Sequence, residues 1–247
     1  MKAFTIACLA TAATACASAP VKSELDRIVE QHVAARGGRA AIEAVQAVRI
    51  ALTIQEDDSR VDADYLASRD GRMRIDILQN GTRVYSEGID AQGSWQWAEN
   101  NAQSGASSPA GAAALRRGLE APMIVRGLHE LRARGHVLTL LPSERIDGID
   151  YHVIRVRFAD GYVTRYYIHP KTWLIDRRRD TRPLQPDVDA RPAQIEERYF
   201  NWREFGGVRY PVRTTQFDLS SRKQLQATLA RSLTVNPQLA PNAFDRP

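Results

Sequence analysis

Histidines are the first candidates for chemistry in this sequence, because imidazole can serve as a metal ligand or as a general base near neutral pH. The five histidines are His32, His129, His136, His152 and His169. Their spacing matches no metal-binding pattern, and no Gly-x-Ser-x-Gly elbow, phosphate loop or dinucleotide fingerprint is present. We therefore predict a protein that is not an enzyme and has no metal or cofactor, with these histidines at the surface or at caps. A triad assembled from distant residues stays open at this point.

Cysteine chemistry is confined to the N-terminal segment, which carries Cys8 and Cys16. Residues 1–19 have the basic start, the short apolar stretch and the small-residue cleavage site of a signal peptide. We predict export to the periplasm and no intrachain disulfide in the mature chain. Residues 13–16 also resemble a bacterial lipobox. Acylation of Cys16, which would anchor the protein to a membrane, and ordinary cleavage therefore stay open as alternatives.

Arginine dominates the charge pattern, and the chain carries a net charge of +5. One cluster comprises Arg177, Arg178, Arg179 and Arg182, while other arginines are scattered along predicted strands. Such spacing is typical of a solvated sheet face, and together with export it argues against nucleic acid as a partner. Attraction to anionic lipid headgroups is the functional interpretation that we favour for this charge.

Residues 194–219 predict the hairpin around which the chain is organised. Aromatic and β-branched residues fill both arms, and Gly206-Gly207 can adopt positive φ in the turn between them. Pro211 cannot donate a ladder hydrogen bond, which predicts that its arm lies at a sheet edge or that the proline lies at a bulge. A sheet with an open edge is therefore expected.

Hydrophobic periodicity predicts the remaining elements. A helix over residues 21–35, with Ser23 as its N-cap, and a shorter helix over 39–47 precede a switch to strand alternation at Val48. About ten or eleven strands follow between turn signals. We predict a single domain over residues 20–247. Its fold class is mainly β with helices (α+β), a large curled antiparallel sheet wrapped around helices.

A break in the strand pattern occurs between residues 100 and 134. A Ser-, Gly- and Ala-rich stretch is followed by helical spacing, which predicts two short helices over residues 110–119 and 121–134, with Pro109 and Pro122 at their starts. We expect this insertion to lie across the sheet as a lid. Residues 104–114 have few large side chains, which predicts a loosely packed and mobile cover.

Several segments of the mature chain carry a family resemblance. They are HVAARGG (residues 32–38) with VRI (48–50), RYYIHPKTWLI (165–175), YFNWR (199–203) with GVRYP (207–211), and VNPQL (235–239) with Phe244 and Pro247. In this order they resemble the LolA-like superfamily of outer-membrane lipoprotein-sorting proteins. The resemblance implies an unclosed half-barrel covered by short helices, an apolar cavity for acyl chains, and transport of a lipidated or lipid-like cargo between membrane-bound donor and acceptor.

A cavity of this kind would hold its ligand by burial, which contributes about 0.8 kcal/mol for each methylene. The residues that we expect to bind the ligand lie on alternating positions of the first strands or on the lid. They are Ile50, Leu52, Ile54, Tyr65, Met73, Ile75, Ile77, Trp95 and Trp97, with Met123, Ile124 and Leu128 from the lid. The same residue types build an ordinary core, and that alternative stays open for each of them.

Two classes of function follow from these observations. The first is a monomeric periplasmic carrier or binding protein for lipoprotein or lipid acyl chains, and the sequence does not separate an isoprenoid or glycolipid cargo from a lipoprotein. The alternative is a LolA-like sensor or scaffold module that binds another envelope protein through its open sheet edge.

Overall fold

The structure, a computed structural model, describes residues 22–57, 59–183 and 189–246, without the side chains of residues 101–103. The predicted signal peptide, Cys8 and Cys16 lie outside these residues. The helices of the described chain are α1 (Glu24–Ala35), α2 (Arg39–Glu43) and α3 (Pro109–Glu120), and single turns of 3-10 helix lie at Leu128–Glu130 and Arg132–Arg134. Its strands are β1 (Ala47–Glu56), β2 (Ser59–Ser68), β3 (Met73–Gln79), β4 (Thr82–Asp90), β5 (Gly93–Ala98), β6 (Asn101–Ala106), β7 (Val137–Ile146), β8 (Ile149–Arg157), β9 (Val163–Ile168), β10 (Ile175–Arg182), β11 (Ala193–Phe205), β12 (Val208–Asp218) and β13 (Gln224–Val235).

These thirteen strands form one antiparallel sheet that does not close. Its order is β6-β5-β4-β3-β2-β1-β13-β12-β11-β10-β9-β8-β7, so two meanders meet where the first strand pairs with the last. The open edges are β6 and β7, which are joined by the segment that carries α3. We call residues 107–136 the lid segment. The predicted unclosed half-barrel with short helices is confirmed.

The first helix begins and ends as local chemistry requires. The Ser23 hydroxyl accepts a 3.1 Å hydrogen bond from the Asp26 N–H, which confirms the predicted N-cap. Ile28 and Val33 are buried on one face of the helix. Gly37 follows the helix with a φ of +122°, a conformation that side chains rarely adopt. The helix thus occupies residues 24–35 of the predicted 21–35.

The end of this helix packs against the hairpin of β11 and β12. Gly206 and Gly207 have φ values of +57° and +79°, as the predicted turn requires. Gly37 lies so close to the turn that a Cβ there would be 2.0 Å from the Gly207 carbonyl oxygen. The Arg209 N–H also donates a 2.8 Å hydrogen bond to the carbonyl oxygen of Arg36. The helix end and the hairpin therefore form one close-packed junction.

The hydrophobic core lies between the helices and one face of the sheet, which we call the inner face. Ile28 and Val33 of α1 share this core with Val48, Ile154 and Tyr166 from strands of both meanders. The opposite face, which we call the outer face, carries the smaller cluster of Tyr151, Val153 and Tyr167. Within the described residues, no helix has the length and apolar character needed to cross a membrane.

Two helix predictions need correction. The helix predicted over residues 39–47 ends at Glu43, because Ala47 already pairs with β2. Residues 121–134 form two single 3-10 turns rather than a helix. The carbonyl groups of Pro122, Met123 and Arg126 accept hydrogen bonds from Arg36 instead of from residues one turn ahead. Tertiary hydrogen bonds have replaced the helical ladder there.

Three strand predictions also need correction. The stretch predicted as flexible begins with β6, which pairs with β5 and helps to raise the strand count to thirteen. The Pro211 arm is not an edge, because β12 lies between β11 and β13. β12 pairs with β13 from Arg213 to Phe217, so Pro211 lies outside that ladder.

Candidate functional site

The strands β1, β2 and β3 bring most of the predicted ligand residues together on the inner face. Ile50 lies opposite Tyr65, which in turn lies opposite Ile75. Leu52 and Ile77 both lie opposite the same residue of β2, Ala63. We call the half-buried members of this group the apolar strip; they are Leu52, Ile54, Tyr65, Ile75 and Ile77.

The apolar strip leads out of the core. Ile50 and Met73 are buried in the main cluster, and Leu52, Tyr65 and Ile75 pack against that cluster. Ile54 and Ile77 belong to neither buried cluster. The strip therefore runs along the inner face from the core toward the end of the half-barrel where β1 finishes.

A row of polar side chains lies beside that end of the strip. Ile54 is opposite Thr228, whose hydroxyl lies 3.3 Å from the side-chain oxygen of Gln226. From there hydrogen bonds link four residues across β1, β13, β12 and β10, which we call the polar row: Glu56, Gln226, Gln216 and Arg182. The inner face thus offers an apolar surface with a hydrogen-bonding border.

The polar row continues into a buried ionic cluster. Arg182 donates to Asp180 at 2.9 Å, and Arg178 lies 3.0 Å from Asp180 and 3.2 Å from Glu197. The Asp180 side chain is almost fully buried. Burial raises the pKa of the nearby Tyr166 phenol, whose buried hydroxyl has no hydrogen-bond partner. Mutual ion pairing offsets the cost of burying these charges.

The lid segment is clamped to α1 by Arg36. This side chain is fully buried, and its Nη1 donates to the carbonyl oxygens of Pro122 at 2.6 Å and Arg126 at 3.3 Å. Its Nη2 donates to the carbonyl oxygen of Met123 at 3.3 Å, and its Nε donates to that of Arg209 at 3.2 Å. Burial lowers the pKa of the guanidinium to about 10, so that it stays charged at neutral pH.

Two further arginines fix the second half of the lid segment. Arg69 forms an ion pair with Glu130 and donates to the carbonyl oxygens of Val45 and Ile42 at 2.7 and 2.6 Å. Arg126 donates to the carbonyl oxygen of Arg69 at 2.7 Å. This half of the lid, which lies beyond the residues 104–114 predicted to be loosely packed, is therefore held firmly.

The three predicted lid residues lie in this firmly held half. Met123 and Leu128 are buried in the main cluster, whereas Ile124 is half-buried against it. By contrast, α3 buries only Gly111, Ala112 and Leu119. The sequence predicts sparse packing for residues 104–114, and α3, which includes residues 109–114, has few buried side chains.

The register places the two predicted tryptophans on the outer face, away from the apolar strip. Trp95 lies opposite Gly88, which lies opposite Arg74, whereas Ile75 lies opposite Glu87. Trp97 is likewise opposite Ser86, on the outer face. The prediction that these tryptophans share a surface with Ile50 is therefore wrong.

The C-terminal tail covers this part of the outer face. Trp95 is fully buried, and Arg74 lies over its ring and donates to the carbonyl oxygen of Asp245 at 2.8 Å. Phe244 is buried beneath Arg72, and Arg246 forms an ion pair with Asp90 at 3.0 Å. Arg74 therefore links the Trp95 ring to the tail.

The arginine cluster is not a solvated surface, which corrects a further prediction. Arg177, Arg179 and Arg198 on the outer face all form ion pairs with Glu196, which is fully buried. Burial raises the pKa of this carboxyl, but the hydrogen bonds from Arg179 and Arg198 outweigh it and hold the pKa below its ordinary value. These cations are neutralised within the protein.

The histidines have structural partners. Nδ1 of the fully buried His32 donates to the carbonyl oxygen of Trp173 at 2.9 Å, and burial lowers its pKa to about 3. His136 is also buried and accepts from the Ala159 N–H at 3.1 Å. The prediction of surface positions is wrong for these two. Within the described ranges, no group of three or more His, Cys, Asp or Glu residues is placed to hold a metal ion.

Among the hollows in the described surface are two with volumes of about 230 and 210 Å³. The first lies between α1 and the lid, where Val29 and Leu128 are part of its wall, and the second lies under the C-terminal tail near Arg74 and Leu239. Sites for small molecules typically measure roughly 300–1,000 Å³. Both hollows are smaller than that, and neither is lined by the apolar strip.

No family model matches the sequence, and no curated protein matches it by sequence similarity. Solved structures do share its fold. A LolA superfamily protein from Nitrosomonas europaea superposes with a TM-score of 0.58 at 15% identity, over 90% of this chain and 97% of that chain. A DUF1329 family protein from Desulfovibrio piger gives 0.57 at 12% identity, over 91% and 98% of the two chains. A domain assigned to outer membrane lipoprotein sorting, from Vibrio parahaemolyticus, gives 0.57 at 11% identity, over 89% and 95%. The LolA-like fold predicted from the sequence is confirmed.

Proposed function

We propose that this chain, whose fold is LolA-like, is an envelope carrier or binding protein that holds a lipidated or lipid-like cargo between its sheet and its lid segment. The observation that carries this proposal is the apolar strip. Its side chains lie in register on the inner face and stay half-buried, although most apolar side chains of that face are packed into the core. A surface of this kind gains free energy when a second apolar body covers it.

The free energy gained by burial is large enough to hold an acyl chain. Burial of each methylene contributes about 0.8 kcal/mol, so that a chain of ~15 methylenes gains on the order of 10 kcal/mol. The strip extends over three strands that are spaced about 4.8 Å apart, which matches the width of one or two extended acyl chains. Each of these strands continues past the core, so the strip provides length as well as width.

We infer that cargo enters when the lid moves, since neither the hollow beside α1 nor the one under the C-terminal tail is large enough to hold it. The two halves of the lid segment have different parts in this motion. The half held by Arg36 and Arg69 stays in place. The helix α3 rests on β4 and β5 with few large side chains. Arg117 near its end forms an ion pair with Asp160 of the β8–β9 turn at 2.6 Å, and its last residue, Glu120, forms ion pairs with Arg126 and Arg134 of the firmly held half. We assign the opening motion to α3.

The polar row supports an amphiphilic cargo rather than a plain hydrocarbon. Glu56, Gln226 and Gln216 lie at the end of the apolar strip, where the head of a chain lying on the strip would be found. Side-chain amides both donate and accept hydrogen bonds, so this border suits ester, amide or hydroxyl groups. Such groups occur where acyl chains join a lipid or a lipoprotein.

The proposed function also requires that the chain is exported. A signal peptide over residues 1–19 would deliver the chain to the periplasm, and acylation of Cys16 would hold it at a membrane. In either form the protein would receive its cargo from one membrane-bound partner and pass it to another, acting as a monomer.

Native mass spectrometry of the mature protein, purified gently from the envelope fraction, tests this function. We expect lipid at a defined stoichiometry, which extraction then identifies. A chain that carries no lipid and takes up no added acyl probe would contradict the carrier function.

The alternative function, a sensor or scaffold module, is favoured by a separate observation. Each of the strands β6 and β7 is paired on one side only, so both can receive a strand from another protein. Under this alternative, the unliganded mass would be accompanied by a protein partner of the envelope that protects β6 or β7 from hydrogen exchange.

A further inference from the structure

A group of arginines on the outer face has no neutralising partner. Arg155, Arg157 and Arg165 are exposed, and in the described chain they form no ion pair with any carboxylate. Arg155 lies directly opposite Arg165 on the neighbouring strand. Like charges in such a pair destabilise a sheet. Repulsion between these arginines therefore destabilises the sheet here, and the fold itself does not require it.

The adjoining strands show that pairing is possible on this face. Arg179 lies directly opposite Arg165 in the next strand, yet it is bound by Glu196 and Glu144. Arg155 has only a 3.4 Å contact with the Thr139 hydroxyl. Uncompensated positive charge is thus concentrated on β8 and β9, beside a region where every arginine of the cluster has a carboxylate.

Exposed aliphatic side chains lie among these cations. Arg157 is opposite Val137 on one side and Val163 on the other, and these valines are 45% and 42% exposed. Phe200 and Leu229, the other large hydrophobic side chains with such exposure among the described residues, also belong to the outer face. We call Val137, Arg155, Arg157, Val163 and Arg165 the outer patch.

We propose that the outer patch is a docking surface for an anionic phospholipid membrane. The guanidinium groups can donate paired hydrogen bonds to lipid phosphates, which are acceptors of matching geometry. Val163 lies on β9 together with Arg165, and Val137 lies opposite Arg157 on the neighbouring strand β7, so that both valines enter the headgroup region as the arginines bind. The combination of unpaired cations and aliphatic side chains favours a lipid surface over a purely polar polyanion.

The position of the patch is compatible with a carrier. On the other half of the outer face, the C-terminal tail covers the region around Trp95 and Arg74. The apolar strip and the lid segment lie on the inner face. A protein docked through the outer patch therefore keeps its inner face turned away from the headgroups, and this inference does not depend on the proposed cargo.

Cosedimentation with vesicles tests the proposal, using the mature chain with Cys16→Ser so that no acyl anchor contributes. We expect binding to phosphatidylglycerol-containing vesicles, weak binding to pure phosphatidylcholine, and a decrease as salt rises. Loss of an arginine near an anionic surface lowers the partition coefficient roughly fivefold. Arg155→Glu with Arg165→Glu should therefore lower it by about 25-fold or more.

A matched control carries Arg116→Glu and Arg203→Glu. These arginines are also exposed and unpaired in the described chain, but they lie on α3 and near the β11–β12 turn. The two double variants change the net charge equally, and only the first should lose binding. Thermal melts should show that both are folded, and Arg155→Lys with Arg165→Lys should retain binding.

Three outcomes would overturn the proposal. They are equal loss of binding in both double variants, equal affinity for both kinds of vesicle, and no vesicle binding while a DNA oligonucleotide or an acidic protein binds through the patch. Leu52→Glu, which should abolish cargo binding, should leave vesicle binding intact. The proposed function and this inference can therefore fail separately.

Discussion

The buried guanidinium of Arg36 donates a 2.6 Å hydrogen bond to the carbonyl oxygen of Pro122, and this contact joins the end of α1 to the lid segment. The side chain contacts four backbone carbonyl groups from two separate parts of the chain. No carboxylate lies within ion-pair distance of it in the described residues, so backbone carbonyls and the ring of Tyr210, whose centroid is 5.3 Å from Cζ, satisfy this cation. Arg36 is therefore the central support of the closed lid.

Arg36→Met should destabilise the protein strongly. The substitution leaves buried carbonyl groups without donors, and losing one partner of a buried charged network costs about 3–5 kcal/mol. Urea denaturation should show this loss, and hydrogen exchange should accelerate over residues 122–136. Arg36→Lys keeps the charge but cannot reach all four carbonyls, so an intermediate loss is expected. Wild-type stability in Arg36→Met would mean that the contact is not structural.

Gly37→Ala should disrupt the junction between α1 and the β11–β12 hairpin. A Cβ would lie 2.0 Å from the Gly207 carbonyl oxygen, and both groups belong to rigid backbone. We expect a loss of at least about 3 kcal/mol, since the clash adds to the cost of a positive φ. Gly38→Ala is the matched control, because Gly38 also has positive φ but nothing lies within 4 Å of its Cβ position. If both variants lost the same stability, conformational strain alone would explain the effect.

Stability should fall in acid because of His32. Its pKa is about 3 in the folded protein, where burial disfavours the charged ring, against about 6.5 in the unfolded chain. The stability contributed by this group is present above pH ~6.5 and is lost as the pH falls toward 3. The slope should reach about 1.4 kcal/mol per pH unit in this window.

The variant His32→Asn isolates the pH-dependent part of the free energy of unfolding that His32 contributes. Its side-chain amide can still donate to the Trp173 carbonyl oxygen but does not titrate. Urea denaturation of both proteins between pH 7 and 4 should give curves whose difference has the predicted slope. Parallel curves would show that His32 is not the group responsible.

Charge on the apolar strip should abolish cargo binding without unfolding the protein. Leu52 and Ile75 are half-buried, so that Glu at either position can reach solvent in the free protein but not beneath a bound acyl chain. We expect at least a tenfold loss of affinity for a fluorescent fatty-acid probe, with a small change in Tm.

The control for the strip is Leu229→Glu. Leu229 is 46% exposed on the outer face and belongs to β13, which pairs directly with β1. This variant should bind the probe as the wild type does. Unchanged binding in Leu52→Glu and Ile75→Glu would place the cargo elsewhere.

The sequence predicts those parts of the fold that local chemistry determines. Ser23 caps a helix, Gly206-Gly207 turns a hairpin, and alternation at Ile50, Leu52 and Ile54 places these residues on one face of a strand. The unclosed half-barrel itself was expected from family resemblance, because no local pattern states which strands are neighbours. The pairing of β1 with β13 joins residues from opposite ends of the described chain, and no local signal encodes it.

The wrong predictions for the candidate site also arise from contacts between distant parts of the chain, which no local pattern encodes. Alternation shows that Trp95 and Trp97 share a face, but it cannot say which face; Gly88, which leaves room for the Trp95 ring, was the available signal. Arg177 and Arg179 look solvated in the sequence because their partner Glu196 belongs to another strand. Residues 121–134 look helical because Arg36, which captures their carbonyl groups, is distant in the chain.

The meeting of β1 and β13 has a consequence for how the molecule folds. Most of the described sequence separates Val48 from its partner Val235, so the centre of the sheet can assemble only once β13 is available to pair with β1. Until then β1 has a bare edge and its apolar face is uncovered, and pairings of such long range form slowly. An incompletely folded chain is thus prone to aggregation through β1, the strand that lies at the middle of the finished sheet.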